Sequence, residues 1–261
     1  MRRLFFLLIL IFVGWWGWGW VQQLTAPPPP LPPRPEHVIT IIEGWTIDDI
    51  DAYFTREQIL PQGAFLRAAE AYPNTEAGKT FLGRVKSVEG YLFPDTYRIY
   101  TTATAQDIIQ KATENFDRRL VDDIRTKIQA RGLTIHEVVT LASIIEREVA
   151  TPEDRRFVAD IFLKRLDAGM ALQADSTVNY ITKKHVSRAS LADTKIDSPY
   201  NTYQHRGLPP GPIGNPGLDT IRAVIDPTSS PYWYFLTTED GRVMYAQDFE
   251  EHKENRGKYL Q

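Results

Sequence analysis

"TIHEVVTLASIIEREVATPEDRRFVADIFLKRLDAG", Thr134–Gly169, decides how the chain is read. Apolar residues recur at helical spacing and predict one helix over about 134–149. A second helix follows at once. Thr151 suits the N-cap, Pro152 the first helical position, acids fill the first turn and Gly169 closes it. Two loop-rich stretches come next, "GMALQADSTVNY" (Gly169–Tyr180) and "DSPYNTYQHRGLPPGPIGNPG" (Asp197–Gly217). "YWYFLTTEDGRVMYA" (Tyr232–Ala246) then reads as a hairpin turning at Asp240-Gly241, and a polar helix covers about 248–260. Helices, then loops, then a hairpin make residues 132–261 an α+β domain rather than a doubly wound sheet.

Upstream, "HVITIIEG" (His37–Gly44) is β-branched and ends in glycine, as a strand does. "TIDDIDAYFTREQIL" predicts a short amphipathic helix capped by Thr46, with a second helix over about 62–71. "SVEGYLFPDTYRIY" (Ser87–Tyr100) reads as strand and turn. "TAQDIIQKATENFDRRLVDDIRTKIQARG" is helical in spacing and stops at Gly132. Residues 38–131 thus form a separate N-terminal α/β region.

The 261 residues contain no cysteine, which excludes disulfides, thiol catalysis, Cys-ligated zinc and a lipidated N-terminal cysteine. The formal charge is −3 with no run of Lys or Arg, so nucleic acid is not an expected partner. "MRRLFFLLILIFVGWWGWGWV" places two arginines before an uncharged run from Leu4 to Val21. Eighteen helical residues reach about 27 Å, close to a hydrocarbon core of about 30 Å. The expectation is a single uncleaved anchor over residues 4–21 in the cytoplasmic membrane. Arg2 and Arg3 stay inside, and Trp15, Trp16, Trp18 and Trp20 sit at the far interface. "APPPPLPPRP" then gives a stiff polyproline spacer within residues 22–37. The rest of the chain is expected outside the cytoplasm.

Glu146 and Glu148 stand in the otherwise apolar "LASIIEREVA". At 100° per residue, Val138, Leu141, Ala142, Ile145 and Val149 form one stripe. The two glutamates flank it about 160° apart, so they cannot face one cleft together. At most one does chemistry, and ion pairs with Arg147, Arg155 or Arg156 suffice to explain either. A carboxyl wedged beside apolar groups is also how a general acid is tuned. Periodicity does not choose. "HEVVT" (His136–Thr140) lacks the second histidine of a zinc protease, and no G-x-S-x-G or phosphate loop occurs. Gln173, Asp175, Ser176, Asn179 and Tyr180, with Tyr200, Asn201, Thr202 and Tyr203, combine planar aromatics, amides and hydroxyls that suit a sugar in a rigid cleft.

"ASIIEREVA", "VADIFLKRLDAGMALQADSTVNY", "DSPYNTYQHRGLPPGPIGNPGLDTIRAVIDP" and "YWYFLTTEDGRVMYAQDFEEH", with "VEGYLFPDTYRIY" and "IIEGWTIDDI" before them, resemble the endolytic murein transglycosylases, the MltG/YceG-like family, and together are far more specific than any one signature. The likeness spans about Val38–Gln261. It implies a single-pass membrane protein that cuts the MurNAc–GlcNAc β-1,4 bond of nascent peptidoglycan strands and leaves 1,6-anhydro-MurNAc ends. It implies no metal and no cofactor, with peptidoglycan synthases as partners. One glutamate serves both proton steps in such lyases. The resemblance places that role on Glu148, with Val149 standing where a small polar residue is usual and Glu146 as the alternative. It places Gln173, Asp175, Tyr180, Tyr200, Asn201 and Tyr203 along the glycan groove, closed by Glu89, Tyr91 and Asp95. Relatives carry a LysM-like module before the "EGW" segment, and the strand–helix at 38–60 reads as its remnant. Two other classes stay open: a water-using glycosidase with Asp175 as second carboxylate, and a non-catalytic glycan-binding division scaffold.

Overall fold

Three helices begin with the same device. Thr46, Thr104 and Thr134 each accept the backbone N–H three residues on, and the acid there (Asp49, Asp107, Glu137) returns a bond to the threonine N–H. They open α1 (Ile47–Arg56), α4 (Ala105–Arg119) and α6 (Ile135–Glu148). Between α1 and α4 lie α2 (Ala64–Ala71) and α3 (Glu76–Leu82). The buried Asp51 of α1 accepts the N–H groups of Gly63, Phe65 and Leu66 at 2.9, 3.0 and 3.3 Å and so caps α2 from a distance.

The computed structural model describes residues 34–82, 86–184, 186 and 189–260. The apolar run at 4–21 and most of the proline spacer lie outside them. Among the described residues no helix is long and apolar enough to cross a membrane.

β1 (Glu36–Thr40) pairs antiparallel with β2 (Thr96–Tyr100), His37 opposite Ile99. The strand expected to reach Gly44 ends at Thr40; the Ile41 N–H still bonds the opposite Asp95 carbonyl at 3.0 Å, and the chain then turns at Glu43 and the left-handed Gly44. The helical pattern expected from 104 to 132 is two helices, α4 and α5 (Asp122–Ala130). The break at Leu120–Val121 is held by Arg125, which donates to the Leu120 carbonyl at 2.7 Å and the Asp117 carboxylate at 2.6 Å.

α7 (Pro152–Asp167) starts at Thr151 as its sequence requires. α8 (Asp175–Thr182) starts inside the first loop-rich stretch, and α9 (Leu218–Ile225) begins directly after the second. β3 (Tyr234–Thr237) and β4 (Val243–Ala246) form the expected hairpin, with Gly241 left-handed in the turn, and α10 (Phe249–Tyr259) follows. Ten α-helices and two small sheets make the described residues α+β.

Residues Glu36–Gln261 form one compact unit, and the boundary at 131/132 falls inside it, between α5 and α6. Its core joins Ile39, Phe54 and Leu92 from the first half to Ile144, Ile145, Phe162 and Val224 from the second. α6 runs through the middle. Every residue from Val138 to Ile145 is buried, not only the expected stripe, so neighbours surround the helix. Full burial of each such aliphatic side chain contributes about 1.5–3 kcal/mol. Its two ends emerge, Ile135–Glu137 at the start and Glu146–Glu148 at the finish, and the second carries the two glutamates.

Candidate active site

Glu148 is the last residue of α6, and Val149 leaves in extended conformation. Its Oε1 accepts the N–H of Ser176, the second residue of α8, at 3.1 Å. Its Oε2 has no hydrogen-bond partner among the described residues. The Glu148 carbonyl accepts the Thr237 hydroxyl of β3 at 3.1 Å, which ties this turn to the hairpin. Burial pushes the Glu148 carboxyl above its ordinary range, and the Asp175 charge adds to that push. Ser176 and Arg147 pull the other way without cancelling it. The group is thus poised to hold a proton and to release one.

Glu146 is engaged differently. Its side chain is 3% exposed and forms an ion pair with Arg155 of α7. Its Oε2 accepts the Gly217 N–H at 3.0 Å and the Thr220 hydroxyl at 2.5 Å, at the N-terminus of α9. The two carboxylates leave α6 in different directions, as the helical spacing predicts.

Around Glu148 the structure gathers several of the expected residues. Tyr203 donates its hydroxyl to Asp175 Oδ1 at 2.8 Å, and burial raises this phenol further. Tyr180, one turn beyond Ser176 on α8, packs against Tyr200 with ring centroids 5.1 Å apart. Glu89, when ionised, acts on both rings. Thr202 holds the 201–203 segment on the start of α8, its Oγ1 accepting from Ala174 N–H at 3.0 Å and meeting Thr177 Oγ1 at 3.0 Å. Gln173 is exposed in the left-handed region (φ 54°), a strained position for any residue but glycine, just before α8.

Other expected groove residues are held inside the fold. Asn201 is fully buried, and its amide donates to the Thr194 and Ile196 carbonyls. Tyr91 is buried, with its hydroxyl 2.9 Å from His136 Nδ1, while His136 Nε2 meets the Pro210 carbonyl at 3.0 Å. Asp95 is half-exposed, but its carboxylate is taken by Arg119 at 2.7 Å and by the Asn115 amide. Glu89 accepts from the Ile47 N–H and from Asn215, each at 3.2 Å. Burial pushes its carboxyl up to about 8.

Residues 17–258 match the YceG-like family. The chain belongs to the YceG-like family. It is 34% identical over 233 residues to the endolytic murein transglycosylase of Bacillus subtilis (strain 168), covering 85% of this chain and 65% of that protein. It is 34% identical over 249 residues to the endolytic murein transglycosylase of Streptococcus pneumoniae serotype 2 (strain D39 / NCTC 7466), covering 85% of this chain and 44% of that protein. The chain therefore spans less than two thirds of either relative. A crystal structure of a yceG-like protein from Listeria monocytogenes superposes with a TM-score of 0.74 at 34% identity, covering 83% of this chain and 75% of that one.

Three participants in this YceG-like site were not singled out from the sequence as parts of it. Arg147 hides between the glutamates that drew attention. Arg155 was one of several bases within reach of Glu146. Asn215 lies in "GNPG", which reads locally as a turn.

Proposed function

We propose that this YceG-like chain cuts the glycan strands of peptidoglycan by lytic transglycosylation, with Glu148 as acid and then base. The observation that carries the reading is the state of Glu148. It is a carboxyl raised by burial, fixed at one oxygen by the Ser176 N–H, with its other oxygen unengaged. The names of the relatives support the substrate class.

The step balances without water. Glu148 gives its proton to the glycosidic oxygen as the bond from MurNAc C1 breaks. The C6 hydroxyl closes on C1, forming the 1,6-anhydro ring, and its proton returns to Glu148. Tyr180 and Tyr200 supply ring faces for sugar C–H surfaces, and Gln173 supplies an amide for hydroxyl or N-acetyl groups. The strands attacked are nascent ones. Residues 4–21 anchor the chain in the cytoplasmic membrane with the catalytic part outside, as the arginine pair and tryptophan belt support.

Asp175 beside Glu148 favours one second reading, a water-using muramidase with two carboxylates. Incubating the soluble part with peptidoglycan strands and weighing the fragments by mass spectrometry separates the two. Anhydro ends are expected. Reducing MurNAc ends would establish the hydrolase, and strands bound but never cut would establish a binding scaffold.

A further inference from the structure

Asn215 is fully buried and every polar group it has is used. Its Oδ1 accepts the Leu92 N–H at 2.9 Å. Its Nδ2 donates to the Trp45 carbonyl at 2.9 Å and to Glu89 Oε1 at 3.2 Å. Its own N–H donates to Trp45 at 2.8 Å, and its carbonyl accepts the Gly44 N–H at 2.8 Å. Glu89 Oε2 extends the set to the Ile47 N–H, at the start of α1. Three distant segments meet at one buried amide. Glycines permit the approach: a Cβ on Gly214 would lie 2.7 Å from the Gly44 carbonyl oxygen, and one on Gly90 (φ 86°) 2.5 Å from the Pro212 ring.

The chain of contacts continues toward the catalytic turn. Gly44, held through its N–H, receives Arg147 Nη1 on its carbonyl at 3.3 Å. Arg147 is the cation between Glu146 and Glu148, and it favours the ionised form of Glu148.

We propose that Asn215 and Glu89 are positioning residues for the cleft, holding the Gly44 carbonyl where it orients Arg147 beside Glu148. This rests on the reading of Glu148 as the acid–base group. The groups facing Glu89 are Asp48 and Asp49 from α1 and Arg147 from α6, while Tyr180 and Tyr200 feel its charge. Glu89 is therefore a carboxyl of the cleft wall whose oxygens are already occupied, not one free to grip sugar.

The test is a swap. Asn215→Asp keeps the acceptor for Leu92 but turns the donor into an acceptor facing Glu89 and the Trp45 carbonyl. Adding Glu89→Gln returns a donor to that contact while still accepting from Ile47. At matched folded fraction, Asn215→Asp should lower kcat about tenfold or more with a smaller change in KM. The double variant should recover at least half of that loss on a logarithmic scale. Wild-type kinetics in Asn215→Asp, or a double variant no better than the single, overturns the proposal. Should Asn215→Asp fail to fold, Glu89→Gln and Arg147→Gln replace it. Both should move the limb of the pH–rate profile set by Glu148 to higher pH, and an unmoved limb in Glu89→Gln overturns the proposal.

A wild-type chain that releases no glycan fragments sinks the reading of Glu148 but leaves the clasp testable by unfolding. Below the ordinary carboxylate range both folded and unfolded chains keep the Glu89 proton. As pH rises from there to about 8 the unfolded chain loses it first, so stability falls through that window and then levels. Glu89→Gln should flatten the fall of Tm between about pH 5 and 8. An equally steep fall in the variant overturns the clasp.

Discussion

Glu146 and Glu148, two residues apart on α6, engage the N-termini of two different helices. Glu148 accepts the Ser176 N–H of α8 at 3.1 Å, and Glu146 accepts the Gly217 N–H of α9 at 3.0 Å. Both acids stand at the negative end of α6, where a carboxylate is electrostatically misplaced, and each is offset by the positive end of another helix. The difference between them is the remaining partner. Glu146 has Arg155, whereas Glu148 keeps one oxygen unengaged.

Substituting them should therefore separate chemistry from stability. Glu148→Gln should fold and bind glycan but cut about 10²- to 10⁴-fold more slowly, since it can neither give nor take the proton. Glu146→Gln leaves Arg155 beside a neutral amide in a site where the pair is almost wholly enclosed. It should cost about 3 kcal/mol of stability, the scale for breaking a buried pair rather than an exposed one. Its activity per folded molecule should stay near that of the wild type. Thermal unfolding and anhydro-muropeptide yield, measured on both variants, check this. A stable but inactive Glu146→Gln would reverse the assignment.

Asp175 gives a prediction with a direction in pH. Burial and then the Asp175 charge hold Glu148 protonated above its ordinary range. Asp175→Asn keeps an acceptor for Tyr203 and removes the charge. The Glu148 pKa should fall, so the descending limb of cutting rate against pH should move to lower pH and the rate at neutral pH should drop. A limb that stays in place would show that Asp175 does not act on Glu148.

Two glycines should respond unequally to alanine. Gly90 and Gly169 are both left-handed, at φ 86° and 65°. A Cβ on Gly90 meets Pro212 at 2.5 Å and Val139 at 3.0 Å, whereas one on Gly169 meets nothing within 4 Å. Gly169→Ala should cost about 1 kcal/mol, from the backbone alone. Gly90→Ala should cost about 3 kcal/mol, since overpacking is added to the same strain. Denaturant unfolding of the two variants decides it, and equal costs would contradict the close approach.

Residues 1–33 carry the topological prediction. Protease added outside the cytoplasmic membrane should digest the domain that begins near Glu36 and spare Arg2 and Arg3. A processed protein recovered in soluble form without its first ~25 residues would show that the apolar run is a cleaved leader.

How much of this was legible depended on where each element is stabilised. α6 and α7 were readable because Thr151, Pro152 and the apolar spacing act locally. α8 was not: its N-cap, Ala174, makes no side-chain cap, and its first turn is held by Glu148 and Thr202 from elsewhere in the chain. Eight residues with tertiary caps give too short a period to notice. The α4–α5 break has neither glycine nor proline, only Arg125 reaching back. Asp175 and Tyr203 could be named by chemical type and Glu148 by the family resemblance, yet Asn201 and Tyr91, named in the same two ways, turned inward. Residue type suggests what a side chain can do, and only packing decides which way it faces.

On the proposed mechanism, the two helix ends held by α6 do not share the same fate during turnover. Each time Glu148 accepts a proton, its attraction for the first turn of α8 weakens, and each time it ionises the attraction returns. Glu146 keeps its ion pair with Arg155 throughout, so α9 feels no such alternation. On that mechanism α8, with Tyr180 and the neighbouring Gln173, is the part of the cleft wall whose hold on α6 alternates with the proton, while the hold on α9 does not.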